Sequence, residues 1–181
     1  TSTSGSGTAK TYTGSVSTTA GFSIIRYVGN GTAGHTIPHH LGAKPDAILV
    51  KHLGDGQQWA TQWSPLGATK VMRFATTNAV SDSNTRWNDT EPSTSVFTLG
   101  NEAEGNTNDG NHIAYCFTSI KGYSKIGSYT GNGNANGTFV HTGFKPAWLI
   151  VKQTDTAGEG WYMWDNKRSS SGGSNENDRY L

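Results

Sequence analysis

The chain has 181 residues, of which 24 are glycine and 15 % are charged, and its formal net charge is +1. Clustered Lys and Arg mark a nucleic-acid-binding protein, so this nearly neutral balance excludes nucleic acid as the expected partner. No run of about 18 apolar residues occurs, so no membrane-spanning helix is expected.

Short runs rich in β-branched and aromatic residues, bounded by Gly, Pro, Asn or Asp, predict β-strands. In chain order these runs are residues 22–27, 47–51, 95–99, 112–120 and 147–151. No stretch repeats apolar residues at helical spacing for three turns. Many short strands must bury one face against a second sheet, so the predicted fold class is all-β, with jelly-roll-like β-sandwich units.

The second half of the sequence repeats part of the first. GAKPDAILVK at 42–51 is answered by GFKPAWLIVK at 143–152. Tyr129 lies 102 positions after Tyr27, and Trp161 lies 102 positions after Trp59. This spacing predicts a tandem array of units of about 100 residues. Asn-Gly dipeptides at 30–31 and 132–133 predict a tight hairpin turn in each unit.

The repeat sets the expected domain organisation. Residues 1–20 are a Ser/Thr/Gly-rich linker or the end of a preceding unit, 21–122 form a complete sandwich, and 123–181 form the first part of a second unit. The second unit is expected to be cut short, either because the chain is a window onto a longer array or because a neighbouring chain completes it.

Cys116 is the single cysteine of the chain, so no disulfide forms within it. Alternation along 112–120 places Cys116 on the strand face opposite Tyr115 and Phe117. We expect a small buried side chain and not a reactive thiol, because no Lys, Arg or helix start lies nearby to lower the pKa of the thiol.

Several motifs together resemble a known repeated domain. They are GFSIIRYVGNG at 21–31, RWNDT at 86–90, AYCF at 114–117 and GYSKIGSYTGNG at 122–133. The chain resembles, over residues 21–168, a domain of uncharacterised function in predicted tail-fibre and other virion proteins of marine bacteriophages, especially those of cyanobacteria. The resemblance implies a virion-surface or extracellular fibre module that is not an enzyme, and it supplies no catalytic residues. The histidine-rich stretch HTIPHH at 35–40 departs from the pattern.

Two groups of polar residues are candidates for metal binding. His35, His39 and His40 lie within six positions, and alternation puts His35 and His39 on one strand face, which suits zinc or iron. The acidic and amide loops at 88–91 and 102–111 offer oxygen ligands for Ca²⁺, although their spacing is not that of an EF-hand. The alternative reading is hydrogen-bonded or solvated histidines and ordinary turn residues.

Five tryptophans follow polar or glycine-rich loops and form a candidate glycan platform, because aromatic faces stack on the C–H faces of sugars. These residues are Trp59, Trp63, Trp87, Trp161 and Trp164. Burial in the core is the competing interpretation, since large aromatic side chains are mostly buried.

The predicted function is a structural and adhesive module of a phage tail fibre or another virion-surface fibre, acting on host surface glycans. A structural subunit of an extracellular filament is one alternative. A tailspike-like glycan hydrolase is another, for which Glu102 and Glu104 are the paired carboxylates. A homo-oligomer, either a trimer or a filament, is the expected assembly.

Overall fold

A computed structural model describes residues 2–167 and the backbone of residues 179–180. These residues form an all-β fold with two single-turn helices. Neither helix comes near the length that crossing a bilayer needs. The strands and helices, in chain order, are β1 (Ser4–Gly5), β2 (Tyr12–Ser17), β3 (Phe22–Val28), β4 (His35–Pro38), β5 (Ala47–His52), β6 (Trp59–Trp63), β7 (Lys70–Phe74), β8 (Ser81–Asp82), α1 (Asn84–Trp87), β9 (Val96–Leu99), α2 (Ala103–Asn106), β10 (Asn111–Phe117), β11 (Trp148–Lys152), β12 (Trp161–Asp165) and β13 (Arg179–Tyr180).

The strands assemble into three open sheets in which every pair is antiparallel. The large sheet has the order β2-β3-β10-β5-β6-β7-β8, and a small sheet has the order β1-β4-β9. The third sheet, β11-β12-β13, belongs to the C-terminal part of the chain.

The large sheet and the β1-β4-β9 sheet enclose one apolar core, so residues 2–120 form a sandwich-like unit, here called the N-terminal sandwich. Alternation on β3, β5 and β10 sends every second side chain to this inner face. Tyr27 packs edge-to-face on Phe97 of the small sheet. The buried core cluster consists of Tyr12, Ile25, Tyr27, Ile37, Leu41, Ile48, Val50, Ala60, Trp87, Phe97, Leu99, Ala114 and Cys116.

The sequence predictions for β10 hold. Cys116 is buried on the inner face, and burial raises the pKa of its thiol to about 12. Tyr115 and Phe117 are half-buried on the opposite face. Cys116 is therefore a small core residue, as the alternation predicts.

The predicted hairpin at Asn30-Gly31 is wrong, because β3 and β4 belong to different sheets. Gly31 has the left-handed φ of 70° that the dipeptide suggests, but Asn30 is not left-handed. Instead, the Asn30 side chain donates to the carbonyl oxygens of Ser6 and Thr8 and accepts from the Thr32 N–H. The segment is thus a fixed crossover between sheets, not a two-residue turn.

Residues 1–20 were expected to be a linker or the end of a preceding unit. Strand β2 lies in this segment and pairs with β3 along its whole length, from Tyr12 opposite Tyr27 to Ser17 opposite Phe22. Strand β1 pairs with β4. Both strands therefore contribute to the N-terminal sandwich, whose sheets begin before residue 21.

Strands β11 and β12, here called the C-terminal hairpin, repeat the hairpin of β5 and β6. Val50 lies opposite Ala60, and their counterparts Val151 and Tyr162 also lie opposite each other. The same holds for Ile48–Gln62 and Leu149–Trp164. The closing bond recurs as well, because Ser64 N–H donates to Asp46 O at 2.8 Å and Asn166 N–H donates to Ala147 O at 3.0 Å.

Burial differs between the two parts of the chain although their local geometry matches. Tyr27 and Ile37 are 1 % and 0 % exposed, whereas their counterparts Tyr129 and Phe139 are 54 % and 87 % exposed. The segments that correspond to β3 and β4, residues 124–130 and 137–140, are not strands. In the N-terminal sandwich those strands form ladders with β10 and β9, and no described strand takes these positions beside 124–130 and 137–140.

Candidate functional site

The outer face of the large sheet carries a row of half-buried aromatic rings. An antiparallel sheet with one core face normally has a polar outer face, so an aromatic outer face indicates an interaction surface. Tyr115 stacks on Phe22 with centroids 6.3 Å apart and on Trp59 at 6.0 Å. We call this surface the aromatic face and define it by Phe22, Trp59, Trp63, Phe74, Tyr115 and Phe117.

One end of the aromatic face is covered by the C-terminal hairpin. Trp161 is buried, and its ring lies 4.8 Å from Phe74 and 5.7 Å from Trp63, centroid to centroid. Its indole N–H donates to the Arg73 carbonyl oxygen at 3.2 Å. Buried Trp with a satisfied N–H is the type of residue that anchors interfaces. Trp161 therefore joins the hairpin to the sandwich.

Two backbone bonds support the same contact. Val80 N–H donates to Thr154 O, and Gly158 N–H donates to Thr77 O, both at 2.9 Å. The loop between β11 and β12 is thereby bonded to the chain between β7 and β8. The contact combines an aromatic anchor with paired main-chain groups and does not depend on charge.

The opposite end of the aromatic face remains accessible and has polar groups at its margin. Arg26 is exposed, and its guanidinium donates to the Asn111 side-chain oxygen at 3.2 Å. The Lys51 ammonium donates to the Gln57 carbonyl oxygen. Half-exposed rings beside amide and cationic groups form the combination that binds sugars, since rings stack and polar groups fix orientation.

The five tryptophans of the predicted glycan platform occupy four different environments. Trp59 and Trp63 lie on the aromatic face, so the predicted shared strand face is correct. Trp87 is in the sandwich core and Trp161 is in the contact just described, so neither ring presents a face to a ligand. Trp164 stacks on Tyr162 on the other side of the C-terminal hairpin. Of the five, only Trp59 and Trp63 share one face, on which Trp63 also contacts Trp161, and glycan binding by them stays a prediction.

The three histidines of the candidate metal site have separate partners. His35 is buried between the Asn106 side-chain oxygen at 2.9 Å and the Thr3 hydroxyl at 2.7 Å. His39 is buried, donates to Ser93 O and accepts from Leu41 N–H. Burial lowers the pKa of both side chains.

His40 completes the set on the surface. It has φ 61° and stacks on Tyr12 at 5.6 Å. Among the described residues, no three His, Cys, Asp or Glu side chains come together to hold a metal ion. The histidines are placed as hydrogen-bonded structural residues, the alternative reading of the sequence.

The carboxylates of the acidic loops form ion pairs with lysine side chains of the same chain. Asp109 pairs with Lys10 at 2.6 Å, and Glu91 pairs with Lys44 at 2.8 Å while accepting from Ala68 N–H. The loops therefore close local turns and ion pairs.

The paired carboxylates Glu102 and Glu104 both face Arg86, at 3.3 and 3.0 Å. Glu104 is buried and also accepts from Arg73 Nε at 3.0 Å. Burial lowers the pKa of Arg86, and the two carboxylates oppose that shift. This arrangement is an ion-pair cluster that links α1, α2 and β7.

Comparison with known proteins gives a family without a stated function. A family model described as a domain of unknown function (DUF7483) matches residues 1–180. The chain belongs to this family. No curated protein and no solved structure matches the chain. The matched range includes the N-terminal sandwich and the C-terminal hairpin together.

Sequence patterns do not single out four of the six residues of the aromatic face in this DUF7483 domain. These four residues, Phe22, Phe74, Tyr115 and Phe117, are not among the candidate binding residues that the sequence predicts. The signal was present, because Tyr115 and Phe117 are apolar at the positions that alternate with Ala114 and Cys116. A strand whose side chains are apolar on both faces of the sheet is expected to be covered on both faces or to contact a partner on one of them.

Proposed function

We propose that this chain is a structural and adhesive module of a fibre, built from sandwich units in tandem and displayed on a virion surface. The observation that carries the proposal is the recurrence of one hairpin in one register, with the second copy anchored on the first sandwich through Trp161. Units that follow one another in tandem and contact only their chain neighbours build an extended array.

The backbone supports a repeat of about 100 residues. Glycines with positive φ recur one repeat apart, which sequence similarity by itself does not require. The pairs are Gly21 and Gly122 (63° and 78°), Gly31 and Gly133 (70° and 66°), and Gly42 and Gly143 (71° and 84°). The Asn30 turn to Thr32 N–H also recurs, because Asn132 accepts from Asn134 N–H at 3.1 Å. Jelly-roll-like tandem units are therefore part of the proposal.

The fibre reading is tested by locating the protein. Antibodies against residues 2–167, applied to purified virus particles and to cells that produce the protein, are expected to label fibres at the particle surface. A free extracellular filament carrying the label would favour the alternative of a cellular filament subunit. Labelling confined to the cell interior would contradict both. The isolated chain is expected to form a trimer in solution, and a molecular mass equal to that of the monomer would count against this assembly.

Adhesion to host surface glycans is supported by the accessible end of the aromatic face. Trp59 and Tyr115 stack at 6.0 Å and are half-exposed, and Arg26 with Asn111 lies on the neighbouring strands. The hydrolase alternative has less support, because Arg86 and Arg73 already pair with the carboxylates on which it depends.

The adhesion reading is tested with polysaccharides from candidate host surfaces. We expect the chain to retain them, and Trp59→Ala to weaken retention roughly tenfold or more, since aromatic anchors dominate such contacts. Trp164→Ala is the matched control, because Trp164 lies outside the aromatic face, and it is expected to leave retention unchanged. Equal losses for both variants would contradict the site. Shortening of the polysaccharide during incubation would favour the hydrolase.

A further inference from the structure

The C-terminal hairpin has one occupied face and one open face. Trp161 and its strand neighbours on that side meet the N-terminal sandwich. The other face carries Leu149, Val151 and Trp164, at the positions where β5 and β6 carry core residues such as Ile48 and Val50. Leu149 is 47 % exposed, whereas Ile48 is 1 % exposed. The open face is thus half of a sandwich core.

The outer edge of β11 is also open. Strand β5 lies between β6 and β10, whereas β11 has β12 on one side and no described strand on the other. Ala147 O accepts from Asn166 N–H on the β12 side, so alternation turns residues 149 and 151 toward β12. The main-chain groups of Trp148, Ile150 and Lys152 therefore face the open edge.

The N-terminal sandwich shows what fits this edge. Strand β10 pairs antiparallel with β5 and places Ala114 opposite Val50 and Cys116 opposite Ile48. The strand on its other side is β3, and β9 pairs with β4 in the facing sheet. One segment, residues 94–118, thus completes both sheets at once. An equivalent segment beside the C-terminal hairpin would pair with residues 124–130 and 137–140 as strands. It would also cover the exposed side chains of Tyr129 and Phe139.

We propose that the C-terminal hairpin binds a strand-forming segment patterned like residues 94–118, which adds a strand to the β11 edge and closes the open face. Main-chain bonds supply affinity and the alternating side chains supply specificity, as in strand addition to other sheet edges. An apolar hollow lined by Phe139, Val140, Phe144 and Pro146 lies in the segment that precedes β11. The inference rests on the tandem repeat of the proposed function and names the kind of segment that fits the β11 edge.

A synthetic peptide of residues 94–118, with Cys116→Ala to prevent oxidation, is the probe for the full chain. We expect binding, and slowing of amide exchange by roughly tenfold or more at Trp148, Ile150 and Lys152. Leu149 and Val151, which already face β12, are expected to change less. A peptide with Ala114→Lys is the matched control, because a charge opposite Val151 would be buried, and it is expected not to bind.

A variant of the chain distinguishes binding of the peptide at β11 from displacement of β10 by the peptide in the N-terminal sandwich. Val151→Lys is expected to abolish binding, whereas Val16→Lys, on an exposed position of β2, is expected to bind like the unmodified chain. Absence of binding, binding that leaves residues 148–152 unprotected, or protection of β11 by self-association without peptide would each overturn the proposal. Fibre labelling by antibody would survive any of these results, so failure of the donor strand is distinguishable from failure of the fibre reading.

Discussion

The indole ring of Trp161 lies 4.8 Å from the phenyl ring of Phe74, centroid to centroid, although the two residues are 87 positions apart in the chain. Trp59, one repeat earlier, also meets Phe74, at 6.3 Å. Phe74 therefore contacts two tryptophans that are equivalent in the repeat, one from its own unit and one from the following hairpin. A single ring thus links the aromatic face of one unit to the attachment of the following hairpin.

Replacement of Trp161 tests that attachment. Trp161→Ala removes a buried ring and its bond to Arg73 O, and such truncations cost about 3–5 kcal/mol where the site cannot collapse. We expect faster amide exchange throughout β11 and β12, with little change in the unfolding midpoint of the N-terminal sandwich. Trp164→Ala, on the same strand but on its other face, is the control. Unchanged exchange in β11 for Trp161→Ala would show that the hairpin does not depend on this anchor.

Acid is expected to destabilise the sandwich through His112. Burial, followed by the neighbouring His52, lowers the pKa of His112 to about 4, while its Nδ1–H donates to Gly110 O and its Nε2 is buried without a hydrogen-bond partner. The unfolded chain takes up a proton near pH 6.5, so it binds more protons than the native state between pH 6.5 and 4. The contribution of His112 to the free energy of unfolding is therefore fully present above pH 6.5 and is lost as the pH is lowered. At pH 5 the loss from this residue is on the order of 2 kcal/mol.

Urea unfolding at pH 7.5 and pH 5 measures this loss. Lowered pKa values of His35 and His39 act in the same direction and add to it. His112→Gln is expected to be less stable at pH 7.5 and to lose less on acidification. His141→Gln, at an exposed position, is the control and should keep the unmodified pH dependence. A pH dependence that His112→Gln leaves untouched would assign the loss to other groups.

Sequence patterns predicted the strands that have strong local signals and missed the strands that depend on a partner. Strands β3 and β5 are rich in apolar and β-branched residues, and the sequence predicts their bounds to within one residue. Strand β2 reads YTGSVS and is exposed beyond its first residue. Its Ser and Gly have low strand propensity, so its conformation comes from pairing with β3, which the local sequence does not encode.

The candidate site was predictable only in part for a related reason. Alternation correctly placed Trp59 and Trp63 on one face, but it does not say which face of a sheet becomes the core. Burial of Trp161 follows from contacts with β6 and β7, which lie far away in sequence. Trp87 is buried in the core that strands of both sheets form. Asn30-Gly31 failed as a hairpin signal because Asn30 instead joins a hydrogen-bond network with Asn106.

The ion-pair cluster around Arg86 predicts an asymmetric response. Glu104→Gln leaves a buried guanidinium without its closest carboxylate, and breaking a buried pair costs about 3–5 kcal/mol. Glu102 is 41 % exposed and lies at 3.3 Å, so Glu102→Gln is expected to cost less than 1 kcal/mol, roughly the value of a surface pair. Thermal unfolding of both variants and of the double variant Arg86→Met with Glu104→Leu tests this. Recovery of stability in the double variant is expected, and equal losses for the two single variants would contradict the structural role.

Asn106 is the buried junction between the two sheets, and its replacement is expected to be severe. Its side-chain oxygen accepts from Asn30 N–H and His35 Nδ1–H, both at 2.9 Å, and its side-chain nitrogen donates to Gly100 O at 2.7 Å and Thr32 O at 3.0 Å. Asn106→Asp keeps the shape but turns a donor into an acceptor facing two carbonyl oxygens, so we expect a loss of about 3 kcal/mol or more. Asn108→Asp, two residues later and solvated, is the control and should change stability by less than about 0.5 kcal/mol. Urea unfolding monitored by tryptophan fluorescence measures both, and a loss of similar size in the two variants would show that the Asn106 network does not hold the sheets together.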